Sequence, residues 1–176
     1  RLKDIIVLRG SEPKIGFYEL IAERLAVADD ENPMDRGVRL EEEAIERFKK
    51  ETGKKVDTSL TIWVRDDNEN IAISPDGKIG KTEAVEAKCL SSARHIEAYL
   101  KGGVPNDLKM QTIQYFIVND DLKTLHVIFY DPRMPVKDYF VIVVKREDIM
   151  NEIAHYYEEQ VKTLKAVEDI VVKLSF

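Results

Sequence analysis

Positions 74–89 of the chain read SPDGKIGKTEAVEAKC. This stretch begins as a turn, because a proline and a glycine flank Asp76, and it ends in a strand-like run. Side chains alternate between the two faces of a strand, so Glu86 and Lys88 share one face while Ala87 points to the other. Asp76 precedes this strand and can fold back beside Glu86. The sequence therefore predicts that two carboxylates and an ammonium group meet at one place.

These side chains suit a particular chemistry. Carboxylate oxygens are ligands for a hard cation such as Mg²⁺, and a lysine ammonium can position a water molecule. The chain has one cysteine, Cys89, which excludes multi-cysteine zinc sites and iron–sulfur sites. Its three histidines lack the spacing of metal ligands. Taken alone, however, a Glu and a Lys on one strand face more often form a surface ion pair.

Hydrophobic periodicity around this stretch predicts alternating helices and strands. The predicted helices cover 13–28, 35–52, 92–100, 105–118 and 146–165. The predicted strands cover 56–64, 71–74, 83–89, 124–130 and 139–145. This order indicates an α/β sheet with helices packed on it, and it excludes a helix bundle and a β-sandwich. We expect a single domain over 1–176.

Composition narrows the class of protein. A chain of 176 residues with 44% hydrophobic residues suits one globular domain and is not disordered. No apolar run approaches the ~20 residues that cross a bilayer, and Arg1–Gly10 lacks a secretory signal, so we expect a cytoplasmic protein. The net charge of -6 argues against bulk coating of nucleic acid. This net charge does not exclude an enzyme that binds DNA through a local basic groove. Because the chain begins with Arg1, we expect an upstream segment to be missing.

Asp76 followed by Glu86-Ala87-Lys88 resembles the PD-(D/E)XK nuclease signature. Three further patterns, QTIQY, FYDPRM and Gly37-x-x-x-Glu41, resemble the phage lambda exonuclease and YqaJ group of recombination nucleases in order and spacing. The resemblance covers about Gly37 to Lys165. It implies a restriction-endonuclease-like core, in which helices flank a central mixed β-sheet.

The resemblance also implies roles for individual residues. Asp76 would ligate or bridge the metals, Glu86 would be a second ligand, and the backbone carbonyl of Ala87 would be a third. Lys88 would position and polarise the attacking water. Glu41 would reach the site from its helix, directly or through a metal-bound water.

Several matching residues keep alternative interpretations. Gln111 would orient the lysine, the water or a substrate phosphate, with Gln114 as the alternative, but it could also be a solvated helix residue. Asp66 is a weaker acidic candidate. The Glu41–Glu43 run could serve only the helix dipole. The Asp131–Arg133 run also matches the group, although a proline suits a turn there.

By the same resemblance, the chain is expected to be an Mg²⁺-dependent deoxyribonuclease that degrades double-stranded DNA from an end, 5′ to 3′. Two metal ions are expected, with Mn²⁺ as an alternative to Mg²⁺. Members of the group form rings of three subunits, which implies a homo-oligomer. The implied partner is a phage single-strand annealing protein, and the implied setting is a bacterial host carrying a phage or prophage.

Two alternatives and one departure accompany this interpretation. The chain could be an endonuclease or RecB-like repair nuclease of the same fold, or a catalytically inactive DNA-binding relative. Relatives place a basic, hydroxyl-bearing segment before the first helix, where it helps to grip the 5′ phosphate. Here the segment in that place is Arg1–Gly10, and neither Arg1 nor Arg9 is assigned to that role. Strand polarity therefore stays open.

Overall fold

The structure is a computed structural model that describes residues 8–9, 12–13, 15–27 and 32–175. Arg1 and the side chain of Arg9 lie outside the described residues. The helices among these residues are α1 (Ile15–Leu25), α2 (Pro33–Thr52), α3 (Ser92–Lys101), α4 (Asn106–Val118) and α5 (Met150–Leu174). The strands are β1 (Leu8–Arg9), β2 (Glu12–Pro13), β3 (Trp63–Arg65), β4 (Asn68–Ile73), β5 (Gly77–Ile79), β6 (Glu83–Lys88), β7 (Thr124–Tyr130) and β8 (Tyr139–Lys145).

Four of the strands form the central sheet, in the order β5-β6-β7-β8. β6 and β7 run parallel, whereas the other two pairs are antiparallel, so the sheet is mixed. A parallel pair needs a long crossover connection, and α3 and α4 provide it between β6 and β7. The predicted fold class, a mixed sheet flanked by helices, is confirmed.

Helices cover both faces of β6. On one face, Val85 packs in a buried cluster with Ala44 and Phe48 of α2. On the other face, Ala84 packs against Tyr115 and Phe116 of α4. A strand buried on both faces carries almost only small and apolar side chains. The charged residues at the end of β6 therefore lie at the border of the core.

Helix ends are fixed by local sequence. The side chain of Asn32 accepts a hydrogen bond from the Met34 amide (2.9 Å) and caps α2, one residue before the proline that begins it. At the other end, Gly53 adopts a left-handed conformation with φ of 69° and stops the helix at Thr52, which is the end that the sequence predicts. α2 thus has defined ends, and it packs against β6 and β7 through Ala44, Ile45 and Phe48. None of the helices described is long and apolar enough to cross a membrane.

Two sequence predictions about strands and helices are wrong. Within the predicted strand 56–64 only residues 63 and 64 are in a strand, β3 (Trp63–Arg65), although Asp57 makes one isolated bridge with Lys78. The side chain of Asp57 accepts a hydrogen bond from the Ser59 amide (2.9 Å), which turns the chain out of an extended path. The last α-helix covers Met150–Leu174 instead of 146–165, and a short 3₁₀ helix, Arg146–Asp148, precedes it.

Candidate active site

Strand β6 brings two charged side chains together. Glu86 and Lys88 lie on the same face, and the Lys88 ammonium lies 2.9 Å from Oε1 of Glu86. Glu86 is only 5% exposed, because α4 covers this face of the sheet. Ala87 points to the opposite face and packs at the edge of the cluster beneath α2. The ion pair is therefore shielded from solvent, unlike an ordinary surface pair.

Asp76 reaches β6 from the turn between β4 and β5. Its Oδ2 accepts a hydrogen bond from the backbone amide of Ala87 (2.8 Å). β5 pairs with β6 only over Glu83–Val85, so the edge of β6 beyond Val85 is available to this carboxylate. The amide and carbonyl of one strand residue point to the same edge. The Ala87 carbonyl therefore faces the side on which Asp76 lies.

Gly77 allows this close approach. A Cβ atom at this position would lie 2.5 Å from Cγ1 of Val56 and 2.7 Å from Cγ2 of Val85. Both distances are far shorter than a van der Waals contact between carbon atoms. A glycine directly after Asp76 thus lets the turn pack tightly against β6.

Helix α4 contributes two polar side chains, Gln111 and Tyr115, which are four residues apart and share one helix face. Gln111 donates from Nε2 to Oε1 of Glu86 (2.9 Å) and accepts from the Lys88 ammonium through Oε1 (2.5 Å). The hydroxyl of the fully buried Tyr115 donates to the other Glu86 oxygen. Both carboxylate oxygens of Glu86 are therefore held by neighbouring side chains.

The structure separates the two glutamine candidates. Gln111 lies between Glu86 and Lys88, whereas Gln114 accepts a hydrogen bond from Gln160 of α5, away from them. Tyr115 received no role from the sequence, although its spacing of four residues from Gln111 was a usable signal.

Glu41, which lies in α2, faces the same cavity as Asp76. Both residues line a cavity of about 280 Å³, together with Thr58 and Glu42. Glu43, by contrast, accepts a hydrogen bond from the Tyr130 hydroxyl (3.2 Å). Of the acidic run on α2, Glu41 is the carboxylate that acts electrostatically on Asp76.

Asp66 does not reach this place. It lies in the turn between β3 and β4 and lines a separate cavity with Asp120 and Asp121 at the end of α4. The turn carries it away from Asp76, because the two residues lie at opposite ends of β4. The structure therefore does not bring this weaker sequence candidate to the site.

Two carboxylates of the site resist ionisation. Burial raises the pKa of Asp76 to about 6, against the opposing effect of the Ala87 amide, and the Glu41 carboxylate raises it further. Burial and the charge of Asp76 raise the pKa of Glu86 to about 7, although Lys88 and Tyr115 favour its ionised form. Like charges brought together out of water behave in this way. A cation between them would relieve that cost.

The donor set suits Mg²⁺ in kind. Glu41, Asp76, Glu86 and the Ala87 carbonyl offer only oxygen atoms, the ligands of hard cations. Cys89 follows Lys88, but burial raises the pKa of its thiol to about 12, so it stays protonated. In the described part of the chain, no three His, Cys, Asp or Glu side chains already surround one point as metal ligands would. The fit is therefore one of chemistry and proximity.

Comparisons with known proteins identify a family and two solved structures that this chain resembles. The model of a family described as "YqaJ-like viral recombinase domain" matches residues 12–121. A solved alkaline exonuclease from Laribacter hongkongensis, LHK-Exo, is 25% identical, with a TM-score of 0.62 over 99% of this chain and 92% of that chain. LHK-Exo in complex with dAMP gives 23% identity and a TM-score of 0.62, over 98% and 91%. The comparison with curated proteins finds no match.

Proposed function

The chain belongs to the YqaJ-like viral recombinase domain family, and from this premise we propose that it is a divalent-metal-dependent DNA exonuclease that degrades duplex DNA from an end. One observation carries the proposal. Asp76, Glu86 and Lys88 meet at the end of β6, within a hydrogen-bonded group that includes Gln111. The likeness to LHK-Exo, an alkaline exonuclease, supports the reaction class.

A phosphodiester makes specific demands on such a site. Its negative charge repels an attacking hydroxide, and the departing alkoxide is a poor leaving group. When bound, Mg²⁺ supplies Lewis acidity, which lowers the pKa of water and neutralises charge on the phosphate. Asp76, Glu86, the Ala87 carbonyl and Glu41 are the groups that would hold it. Two ions, with Mn²⁺ able to replace Mg²⁺, are part of this proposal.

The other side chains orient rather than bind. Lys88 would hold the attacking water through its ammonium, which Gln111 fixes by accepting one hydrogen bond. Tyr115 and Gln111 fix the Glu86 carboxylate from two sides, so its oxygens need not reorganise during the reaction. These contacts supply preorganisation, which distinguishes a catalytic pair from a mobile surface ion pair.

The finer features of the proposal rest on resemblance to the lambda exonuclease group. They are 5′ to 3′ polarity, assembly of three copies into a ring, a single-strand annealing protein as partner, and action in the cytoplasm of a bacterial host. A ring would explain how a chain of net charge -6 retains DNA, because only its channel needs a basic lining.

Digestion of DNA with defined ends tests the reaction. Linear duplexes labelled at the 5′ or the 3′ end are incubated with Mg²⁺, with Mn²⁺ or without metal, beside a covalently closed circle. We expect Mg²⁺-dependent loss of the linear duplex from its 5′ ends while the circle stays intact. Opening of the circle would identify an endonuclease, and no cleavage with either metal would identify an inactive DNA-binding relative.

Substitutions tie the activity to the site. Lys88→Ala and Asp76→Ala should each abolish Mg²⁺-dependent cleavage while circular dichroism shows a folded protein. Lys145→Ala is the matched control, because this exposed lysine ends β8 as Lys88 ends β6. Unchanged cleavage by either site variant would reject the assignment.

A further inference from the structure

A second group of charged side chains lies next to the candidate active site. Asp131, at the end of β7, is fully buried. Its carboxylate accepts hydrogen bonds from Oγ of Ser92 (2.5 Å) and from Nε of Arg133 (2.8 Å), and it lies 3.5 Å from Nη2 of Arg36. We call these four residues the Asp131 network.

The network donates hydrogen bonds to the backbone just after Lys88. The carbonyl of Leu90 accepts one hydrogen bond from Nη2 of Arg36 (3.1 Å) and another from Nη2 of Arg133 (3.2 Å). Leu90 lies two residues beyond Lys88, after β6 has ended. Two guanidinium groups, both paired with the same carboxylate, thus fix the chain at the point where it leaves the sheet.

The same network reaches the helix that carries Glu41. Arg36 lies in the first turns of α2, five residues before Glu41, and its side chain is buried. Ser92 is the first residue of α3. The Asp131 network therefore joins α2, the end of β6, the start of α3 and the turn after β7.

We propose that the Asp131 network positions the candidate active site, by holding α2 and the end of β6 at the spacing that brings Glu41 and Lys88 to Asp76. Its residues are positioning residues and touch neither substrate nor metal. The catalytic part of this inference rests on the proposed exonuclease function. The metal-binding part can be measured without DNA.

Burial of these charges argues for a role beyond stability. Burying an ion pair costs desolvation energy that often exceeds the attraction, so apolar residues could stabilise a core equally well. Burial alone would raise the pKa of Asp131, but hydrogen bonds from Arg133 and Ser92 outweigh it, and the pKa is lowered. The carboxylate is therefore ionised and supplies a fixed geometry that an apolar contact could not.

The test replaces Asp131 by Asn, which keeps the shape but removes the charge. We expect Mn²⁺ affinity, measured by calorimetry without DNA, to weaken about 10–100-fold, as when the residues that orient metal ligands are altered. For linear duplex DNA in Mg²⁺, kcat should fall about 100-fold, with KM nearly unchanged. Such a split between kcat and KM would not follow from lower stability alone.

Glu83→Gln is the matched control. Glu83 begins β6, and its carboxylate pairs with His126 (2.7 Å) and Lys54 (3.3 Å), at the end of the strand remote from Lys88. This variant should lower the Tm while Mn²⁺ affinity and kcat stay at wild-type values. If Asp131→Asn behaves in the same way, the network only stabilises the fold and the inference is overturned.

Two milder variants decide the question if Asp131→Asn does not fold. Ser92→Ala removes one hydrogen bond to Asp131, and Arg133→Lys keeps the charge but cannot serve both Asp131 and the Leu90 carbonyl as the guanidinium does. Both should weaken Mn²⁺ binding, and wild-type affinity in both would overturn the inference. If the wild-type chain cleaves no DNA, the exonuclease proposal fails, and Mn²⁺ affinity alone still decides the role of the network.

Discussion

The ionised forms of Asp76 and Glu86 destabilise the folded, metal-free protein. Both carboxylates are drawn out of water and towards each other, and the pKa of each is raised as a result. An exposed aspartate in the same part of the chain shows the opposite behaviour, because hydrogen bonds from Ser59 lower the pKa of Asp57 to about 2. The ion binding proposed above would account for a fold that retains this unfavourable pair.

Asp76→Asn should therefore stabilise the metal-free protein. The folded pKa of Asp76 is about 6, above its ordinary value of 3.8, so its contribution to stability is greatest below pH 4 and is lost as the pH rises through 6. At pH 8 we expect the Tm of the variant to exceed that of the wild type by about 2–4 °C. At pH 4 the difference should vanish.

Thermal melts at pH 4 and pH 8, with and without Mg²⁺, measure this effect. The variant should also lose most of the stabilisation that Mg²⁺ gives to the wild type at pH 8. Asp57→Asn is the control of opposite sign, since removing an ionised, hydrogen-bonded carboxylate should lower the Tm at pH 8. An Asp76→Asn protein less stable than the wild type at pH 8 would contradict the account.

At the scale of elements, α4 presents different side chains to the site and to α5. Gln111→Ala should reduce the rate of Mg²⁺-dependent cleavage roughly 10–100-fold, because Glu86 and Lys88 lose their common hydrogen-bond partner. Gln114→Ala, which removes only the contact with Gln160, should cleave at nearly the wild-type rate. Single-turnover kinetics compares the two, and equal rates would show that Gln111 has no role in the site.

The packing of the turn that carries Asp76 depends on Gly77, the first residue of β5, having no side chain. Gly77→Ala should destabilise the fold by about 1–3 kcal/mol through overpacking against Val56 and Val85, and it should displace Asp76 from the Ala87 amide. Gly103→Ala is the control, because nothing lies within 4 Å of an added Cβ there. Urea denaturation measures both variants, and equal midpoints would contradict the close packing of this turn.

The sequence predicted those elements whose patterning is long and regular. β7 and β8 have the predicted bounds, because each is a largely apolar run between polar turns. The strand prediction for 56–64 failed because most of this region is an exposed loop, in which Leu60 is 92% exposed, although Val56 is buried. The three-residue strand β5 is too short for any period to show.

In the candidate site, too, only the residues that follow a regular strand or helix spacing could be predicted from the sequence. Strand alternation was enough to place Glu86 and Lys88 together, and the helical spacing of Gln111 and Tyr115 was visible. The burial of Asp131 could not be predicted from the sequence, because the local sequence is typical of a turn. Its partners Ser92 and Arg36 lie 39 and 95 positions away in the chain. Contacts between residues far apart in sequence leave no periodic signal.

At the scale of the whole molecule, the proposed ring makes assembly part of the function. A closed channel keeps a DNA strand in place by topology, which a chain with 33 acidic and 27 basic residues cannot achieve by bulk charge. We expect light scattering after gel filtration to give three times the mass of one chain. A single-chain mass at concentrations that support processive digestion would contradict the ring.

The central claim is that the end of β6 binds the catalytic ion. Anomalous diffraction from crystals soaked in Mn²⁺ locates that ion directly. The account predicts a peak within coordination distance of the Asp76 and Glu86 carboxylates and the Ala87 carbonyl. Crystals at saturating Mn²⁺ with no peak there, or with ordered Mn²⁺ only elsewhere, would contradict it.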